Sequence, residues 1–464
     1  MPLSYTDVAE INQEEKKTMG KTKKEGFTLK TAILSFQHMF AMFGATILVP
    51  ILTGMSISVA LLSAGLATIA FYFIAQKKVP VFLGSSFAFL PALISGMQGA
   101  GEIGSDTWNR AMGKVSVAVM LAGLVYVIIA LLLKRIGVDR IRKLFPPIVV
   151  GPVIVVIGMI LAPKMFYNNI IGQAIWTGIP AWKHWTAAGV TALTILLVSA
   201  VAKPKSFLKV IPILMGFVVG YIYSLIIGLV DYSNVDWSQI IIFQDMGKTF
   251  GFYKYLTFDW GVILSLVPIA IVTFMEHLGD IAASSTVCGK DFMKDPGVHR
   301  TLMGDGVGTM IAGAIGGPPN TTYGENTAVL AITKNYDPKN LFYAGIMAVI
   351  FGSITIFGTA VGTIPSAVIG GASIVLFGMI SAAGLRALVD GKVDFSDTKN
   401  ILVVSVILSI GLGLGAMSLA GDITGDSVYK IMIGTVEISP LAIATVAGII
   451  LNLIIPSDNR EEKK

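Results

Sequence analysis

The sequence predicts an all-α polytopic membrane protein of 14 transmembrane segments, arranged as two inverted 7-segment repeats with short strand-like breaks in segments 3 and 10. Three observations predict it. Charged residues make up 13% of the 464-residue chain and hydrophobic ones 54%, against roughly 25% charged in an ordinary soluble domain. With 34 basic and 28 acidic side chains the chain cannot cover a water-facing surface of this size, so lipid takes the place of solvent. Basic residues cluster in alternate loops, and two pairs of similar stretches lie seven segments apart. The same composition excludes a disordered chain, and the single cysteine, Cys288, excludes a disulfide scaffold. The net charge of +6 is that of cytoplasmic loops, and no nucleic-acid partner is expected.

Apolar runs that approach the roughly 20 residues a bilayer core requires fall at 28–49, 57–75, 81–98, 112–134, 144–163, 186–203, 209–229, 259–283, 302–317, 323–333, 340–358, 363–386, 399–417 and 431–455. Segment 3 contains Gly84, Ser85, Ser86 and Pro91, and segment 10 is too short to cross as one helix; both read as discontinuous. Residues 1–25 are polar and rich in lysine, without the apolar core of a signal peptide, which places the N-terminus in the cytoplasm. The cytoplasmic groups are then Lys16–Lys30, Lys77–Lys78, Lys134–Lys143, Lys203–Lys209, Lys290–Arg300, Lys334–Lys339, Arg386–Lys399 and Arg460–Lys464. They hold 27 of the 34 basic residues. A miscount by one segment would invert every later loop, so a bias that persists to the end favours fourteen.

Residues 151–160 (GPVIVVIGMI) align with 371–380 (GASIVLFGMI), in segments 5 and 12, and Gln37-His38-Met39 with Glu276-His277-Leu278, in segments 1 and 8. An odd number of segments per repeat inverts the second copy, and interrupted segments at equivalent places in the two copies mark the binding site of such carriers.

Segment 8 carries Glu276, His277 and Asp280 within an apolar run. Glu276 and Asp280 are four apart and share one helix face, while His277 lies about 100° away. A charge at the centre of a membrane helix costs about 2.5–3.5 kcal/mol on insertion scales. The two acids therefore call for a polar cavity, in which repulsion favours one of them holding a proton; a water-facing helix end is the alternative. In segment 10, Pro318-Pro319-Asn320-Thr321-Thr322 cannot form a lipid-facing helix. Glu325 then stands at the start of a half-helix, among backbone N–H groups free to bind a ligand, or acts simply as a capping acid. In segment 3, Gly84 permits close backbone approach, and Phe87 or Phe89 offers a ring face to a planar ligand or packs as core. Gln37-His38 suits bracing of the broken segments or ligand contact equally. His184 and His299 are expected in loops. No metal site and no ATP-binding loop is expected, and the Gly411–Gly415 run reads as helix packing.

Four stretches together, Gln37-His38 with Ala41–Thr46, Gly84–Phe89, Glu276–Asp280 and Pro319–Asn326, resemble the nucleobase/ascorbate transporter family, and within it the bacterial uracil permeases, over about residues 27–455. The resemblance implies a proton-coupled uracil importer that works by alternating access. It would be no enzyme, would use no cofactor besides the coupling proton, and would sit as a multi-pass homodimer in the bacterial cell membrane with both termini cytoplasmic. It implies a core domain (27–136 and 255–360), a gate domain (137–232 and 361–456), and cytoplasmic tails at 1–26 and 457–464. Carried over by motif, Glu276, Glu325, Phe87, Ser86, Tyr323 and Gly324 bind substrate, and Glu276, Asp280 and Glu325 couple to the proton. Gln37, His38, His277 and Asn326 support them. Two departures stand out. Asp280 occupies a position where one permease type has His, and Ala328 replaces a signature Gly, so helix packing near the pocket is expected to differ. A purine or xanthine permease and an anion channel or exchanger of similar inverted-repeat fold are the competing readings. An intramembrane enzyme using Glu276 and Asp280 lacks a nucleophile or metal cluster to support it.

Overall fold

The computed structural model describes residues 28–137, 146–203, 206–233, 235, 237–433 and 436–456; the tails expected at 1–26 and 457–464 lie outside the described residues. Helix α1 (Leu29–Thr53) starts at Thr28, whose hydroxyl accepts the Thr31 N–H at 3.2 Å, and stops at Gly54 in the left-handed region. There follow α2 (Ile57–Ile74), strand β1 (Leu83–Ser85), α3 (Leu90–Gly96), α4 (Asp106–Ile136), α5 (Pro147–Phe166), α6 (Ala181–Val201), α7 (Pro212–Ile226), α8 (Trp260–Leu266), α9 (Ile269–Cys288) and α10 (Val298–Ala314). Strand β2 (Asn320–Thr322), α11 (Gly324–Thr333), α12 (Pro338–Ser353), α13 (Thr355–Gly362), α14 (Ser366–Asp390), α15 (Thr398–Thr424), the hairpin strands β3 (Met432–Ile433) and β4 (Val436–Glu437), and α16 (Pro440–Ile454) complete the chain. Proline opens α5, α7, α12 and α16, where its missing N–H forfeits no hydrogen bond. Among the described residues eight spans are long and apolar enough to cross a membrane. The protein is a predominantly helical, multi-pass membrane protein.

Several boundaries differ from the apolar runs. Helix α4 starts at Asp106 because Ser105 caps it, accepting the Trp108 N–H at 3.2 Å, and because Asp106 pairs with Arg110 at 2.8 Å in its first turns. The run at 431–455 is not one helix: its first residues form β3 and β4. His184 lies inside α6 and is buried, and His299 lies in the first turn of α10. Neither is in a loop, since polar residues extend these helices past their apolar stretches.

The helices pack in two groups. In one, α4 lies on α10, α10 on α2, α2 on α12 and α12 on α1. In the other, α5 lies on α14 and α15, α14 on α6, α6 on α7 and α15 on α16. Glycine sets the crossings. A Cβ on Gly123 of α4 would stand 2.7 Å from the Gly306 carbonyl oxygen of α10, and one on Gly306 2.8 Å from the Gly123 oxygen. Gly65 of α2 and Gly345 of α12 face each other in the same way, at 2.5 and 3.1 Å. Backbone contact of this closeness gives membrane helices dispersion attraction that lipid does not offer.

The two breaks meet at the centre of the first group. Strands β1 and β2 pair antiparallel, with Leu83 opposite Thr322, Gly84 opposite Thr321 and Ser85 opposite Asn320. A two-stranded ribbon buried in protein needs partners for its outer backbone groups. Thr68 of α2 accepts the Leu83 N–H at 2.9 Å. Thr309 of α10 donates to the Asn320 carbonyl at 2.9 Å and accepts the Asn320 N–H at 3.3 Å. Two further backbone bonds, Ser86 N–H to Pro319 O (2.9 Å) and Tyr323 N–H to Phe82 O (3.1 Å), extend the ribbon at its ends.

Candidate substrate-binding site

A cavity of about 300 Å³ opens beside the ribbon. Helix α9 supplies Glu276 and Asp280, the β2–α11 junction supplies Thr321 to Glu325, the end of β1 supplies Phe87, and α14 from the second group supplies Leu376 and Ile380. The i,i+4 spacing puts both α9 acids on the cavity face. Asp280 accepts a hydrogen bond from the Thr322 hydroxyl at 2.9 Å, which ties it to the ribbon, whereas Glu276 stands open to the cavity. Helix α11 begins at Gly324, so the backbone N–H groups of its first turn lack intrahelical acceptors at the cavity wall. Gly324 is exposed there, and Glu325 follows it.

Tyr323 closes the end of the ribbon. Its hydroxyl donates to the Ser85 carbonyl at 2.7 Å and receives the Thr46 hydroxyl at 3.4 Å. Gly84 is required beneath it, because a Cβ there would lie 2.6 Å from the tyrosine ring and 2.7 Å from the Thr46 hydroxyl. Tyr323→Phe strands a buried carbonyl, at a cost of about 1–3 kcal/mol. A lower unfolding midpoint in detergent, with the helical content unchanged, is the expected result.

His277 points away from the cavity. It is fully buried, with Nδ1 2.9 Å from Asp305 of α10 and Nε2 2.9 Å from the Thr301 hydroxyl, so it seats α9 on α10. Asn326 donates to the His38 carbonyl at 2.9 Å, joining α11 to α1. Of the two readings of His38 this is bracing. Gln37 is half-buried on α1 and does not line the cavity. Ser86 does not line it either. It is fully buried, because the bond from its N–H to Pro319 draws it into the ribbon. Ala328 lies on the exposed side of α11, so the methyl in place of the signature glycine alters no tight helix contact.

The chain matches the Permease family over residues 29–419. It belongs to that family. The permease is 41% identical to the uracil permease of Bacillus caldolyticus, covering 91% of each chain, and 40% identical to the uracil permease of Bacillus subtilis (strain 168), covering 92% of this chain and 93% of that one. Its fold is shared with the transmembrane domain of a cyanobacterium bicarbonate transporter, at a TM-score of 0.60 and 16% identity over 85% of this chain and 97% of that domain.

Three residues that support the candidate site carry no motif. Asp305 is buried behind His277, and its signal is a lone acid in the apolar, glycine-rich segment 9. Thr68 and Thr309 are single hydroxyls in apolar surroundings, and nothing in the sequence sets them apart from helix-packing threonines. Among the described residues no group of three His, Cys, Asp or Glu side chains is placed to hold a metal ion.

Proposed function

We propose that this permease imports uracil together with a proton by alternating access. The observation that carries the reading is the cavity, in which carboxylates from α9 and α11, the bare first turn of α11 and an apolar wall face one small space. Uracil presents two ring N–H donors and two carbonyl acceptors in one plane. Glu276 and Glu325 accept the N–H groups, backbone N–H groups of α11 donate to a carbonyl, and Phe87, Leu376 and Ile380 enclose the apolar edge. The named relatives are uracil permeases. Among the described residues no basic side chain lines this cavity, which opposes an anion exchanger and makes proton uptake by Glu276, Asp280 or Glu325 the means of discharging it.

The moving parts in this reading are the core (27–136 and 255–360) and the gate (137–232 and 361–456), formed from fourteen segments in two inverted repeats, with both termini cytoplasmic in a bacterial plasma membrane and the gates paired in a homodimer. Three repeated details support the repeat. The α4–α10 crossing at Gly123 and Gly306 has its counterpart in the α12–α2 crossing at Gly345 and Gly65. Thr68 serves Leu83 as Thr309 serves Asn320. The aligned stretches 151–157 and 371–377 share one order of buried and half-buried positions.

Labelled uracil in proteoliposomes tests the proposal. An inside-alkaline gradient is expected to drive accumulation that a protonophore collapses, and uracil is expected to compete better than xanthine or adenine. Gradient-independent uptake would remove the proton, and binding of purines alone would remove uracil. Chloride or bicarbonate flux without uracil binding would point to the exchanger.

A further inference from the structure

We infer that the β3–β4 hairpin is a latch across the outer seam between the two helical groups, one that has to release for the carrier to open outward. The inference rests on the alternating-access reading and on the orientation that goes with it.

By connectivity the hairpin belongs to the gate, since it joins α15 to α16. Its hydrogen bonds nevertheless reach the core. The Glu437 carbonyl accepts the Ser95 hydroxyl beyond β1 on α3 at 3.1 Å and the Ser265 hydroxyl of α8 at 2.8 Å, and the Ser439 N–H donates to Ser265 at 3.3 Å. Both lone pairs of one carbonyl are thus taken by hydroxyls of the other group. Ser265, Glu437 and Ser439 are buried, so water does not substitute for these partners in the closed state.

The gate side of the hairpin is fastened differently. Lys430, just before β3, pairs with Asp422 of α15 and lies 3.7 Å from the Glu437 carboxylate. Asp422 also binds Lys164 of α5 at 2.9 Å, and Lys164 donates to Ser418 at 3.0 Å. The side chains of Lys430 and Glu437 are only 8% and 6% exposed. Breaking a buried chain of alternating charges is costly, because each charge is left unpaired away from water. Neutral hydroxyl–carbonyl bonds are individually weak and reform readily. The hairpin therefore travels with the gate and lets go of the core. Behind it a cavity of about 330 Å³ lies along the same seam, lined by Thr53 and Gln98 from the core and by Lys164, Asn168 and Ser418 from the gate. Deeper in, Phe87 meets Phe377 edge to face at 6.5 Å, a second closure across the seam.

The test reads access from outside. L161C reports on the seam, because Leu161 is fully buried and lines the outer cavity; C288S removes the native thiol. In intact cells, S95A/S265A is expected to raise the rate at which a membrane-impermeant maleimide labels L161C by roughly tenfold or more, the combined effect of the three neutral hydrogen bonds it removes, with uracil affinity in detergent unchanged. S95A alone guards against misfolding of the double variant and is expected to give a smaller rise, with S95T returning to the parent rate. Unchanged labelling in S95A and S95A/S265A, with uracil binding intact, would overturn the latch. If labelling of the L161C parent does not respond to uracil at all, the alternating-access reading fails first and takes the latch with it.

Discussion

Glu276→Gln is expected to weaken uracil binding by roughly 10- to 100-fold and to abolish gradient-driven uptake, while the protein still folds and inserts. The magnitude follows from the loss of a charge-assisted hydrogen bond, worth about 1.5–3 kcal/mol. The amide keeps one oxygen to accept the ring N–H but has neither the charge that strengthens that bond nor a site for the proton, so binding weakens and coupling is lost. Folding is spared because Glu276 is open to the cavity and makes no bond that seats α9; that task falls to His277, Asp305 and Thr301. Titration calorimetry on purified protein measures the affinity, and uptake under a pH gradient measures the coupling. Parent-like uptake in Glu276→Gln would remove this residue from both roles.

Gly158→Ala is expected to destabilise the permease by about 3 kcal/mol or more, whereas Gly378→Ala is expected to be tolerated. These two glycines occupy equivalent places in the aligned stretches 151–160 and 371–380. In the folded protein they are not equivalent. A Cβ on Gly158 would overlap the carbonyl oxygen of Phe377 and the hydroxyl of Ser381, and the first of these is backbone that cannot move without shifting α14. A Cβ on Gly378 meets nothing within 4 Å. Loss of the monodisperse peak on heating, compared across the two variants in one detergent, measures the difference. Equal unfolding midpoints would mean that the α5–α14 crossing is looser than its geometry indicates.

The contrast shows how far local sequence reaches. The acids of segment 8 were legible because a charge in an apolar run is expensive and needs a reason. The break in segment 10 was legible because consecutive prolines and the Asn-Thr-Thr run cannot sit in a lipid-facing helix, and that in segment 3 from the cluster of Gly84, Ser85, Ser86 and Pro91. Cavity walls and supports separate less cleanly. Ser86 and Phe87 are neighbours, yet one is drawn into the ribbon by a backbone bond to Pro319 and the other lines the cavity. Leu376 and Ile380 are ordinary apolar residues of an apolar stretch, and they reach the site only because α14 crosses in front of α9 and α11. The hairpin was hidden inside an apolar run at 431–455, where hydrophobicity alone does not separate a short ribbon from the start of a helix.

The residues alone, before any contact is known, name lipid as the solvent of this protein and mark the segments that build the candidate site. Too few charges to face water, basic loops, and three acids retained where insertion is dearest are all properties of single residues and their spacing. Which neighbour each residue meets is left to the packing. Thr68 and Thr309 became partners of the ribbon, His277 turned to Asp305, Gly158 became indispensable and Gly378 free, because helix-on-helix contact is set by the relative rotation and crossing of elements far apart in the chain.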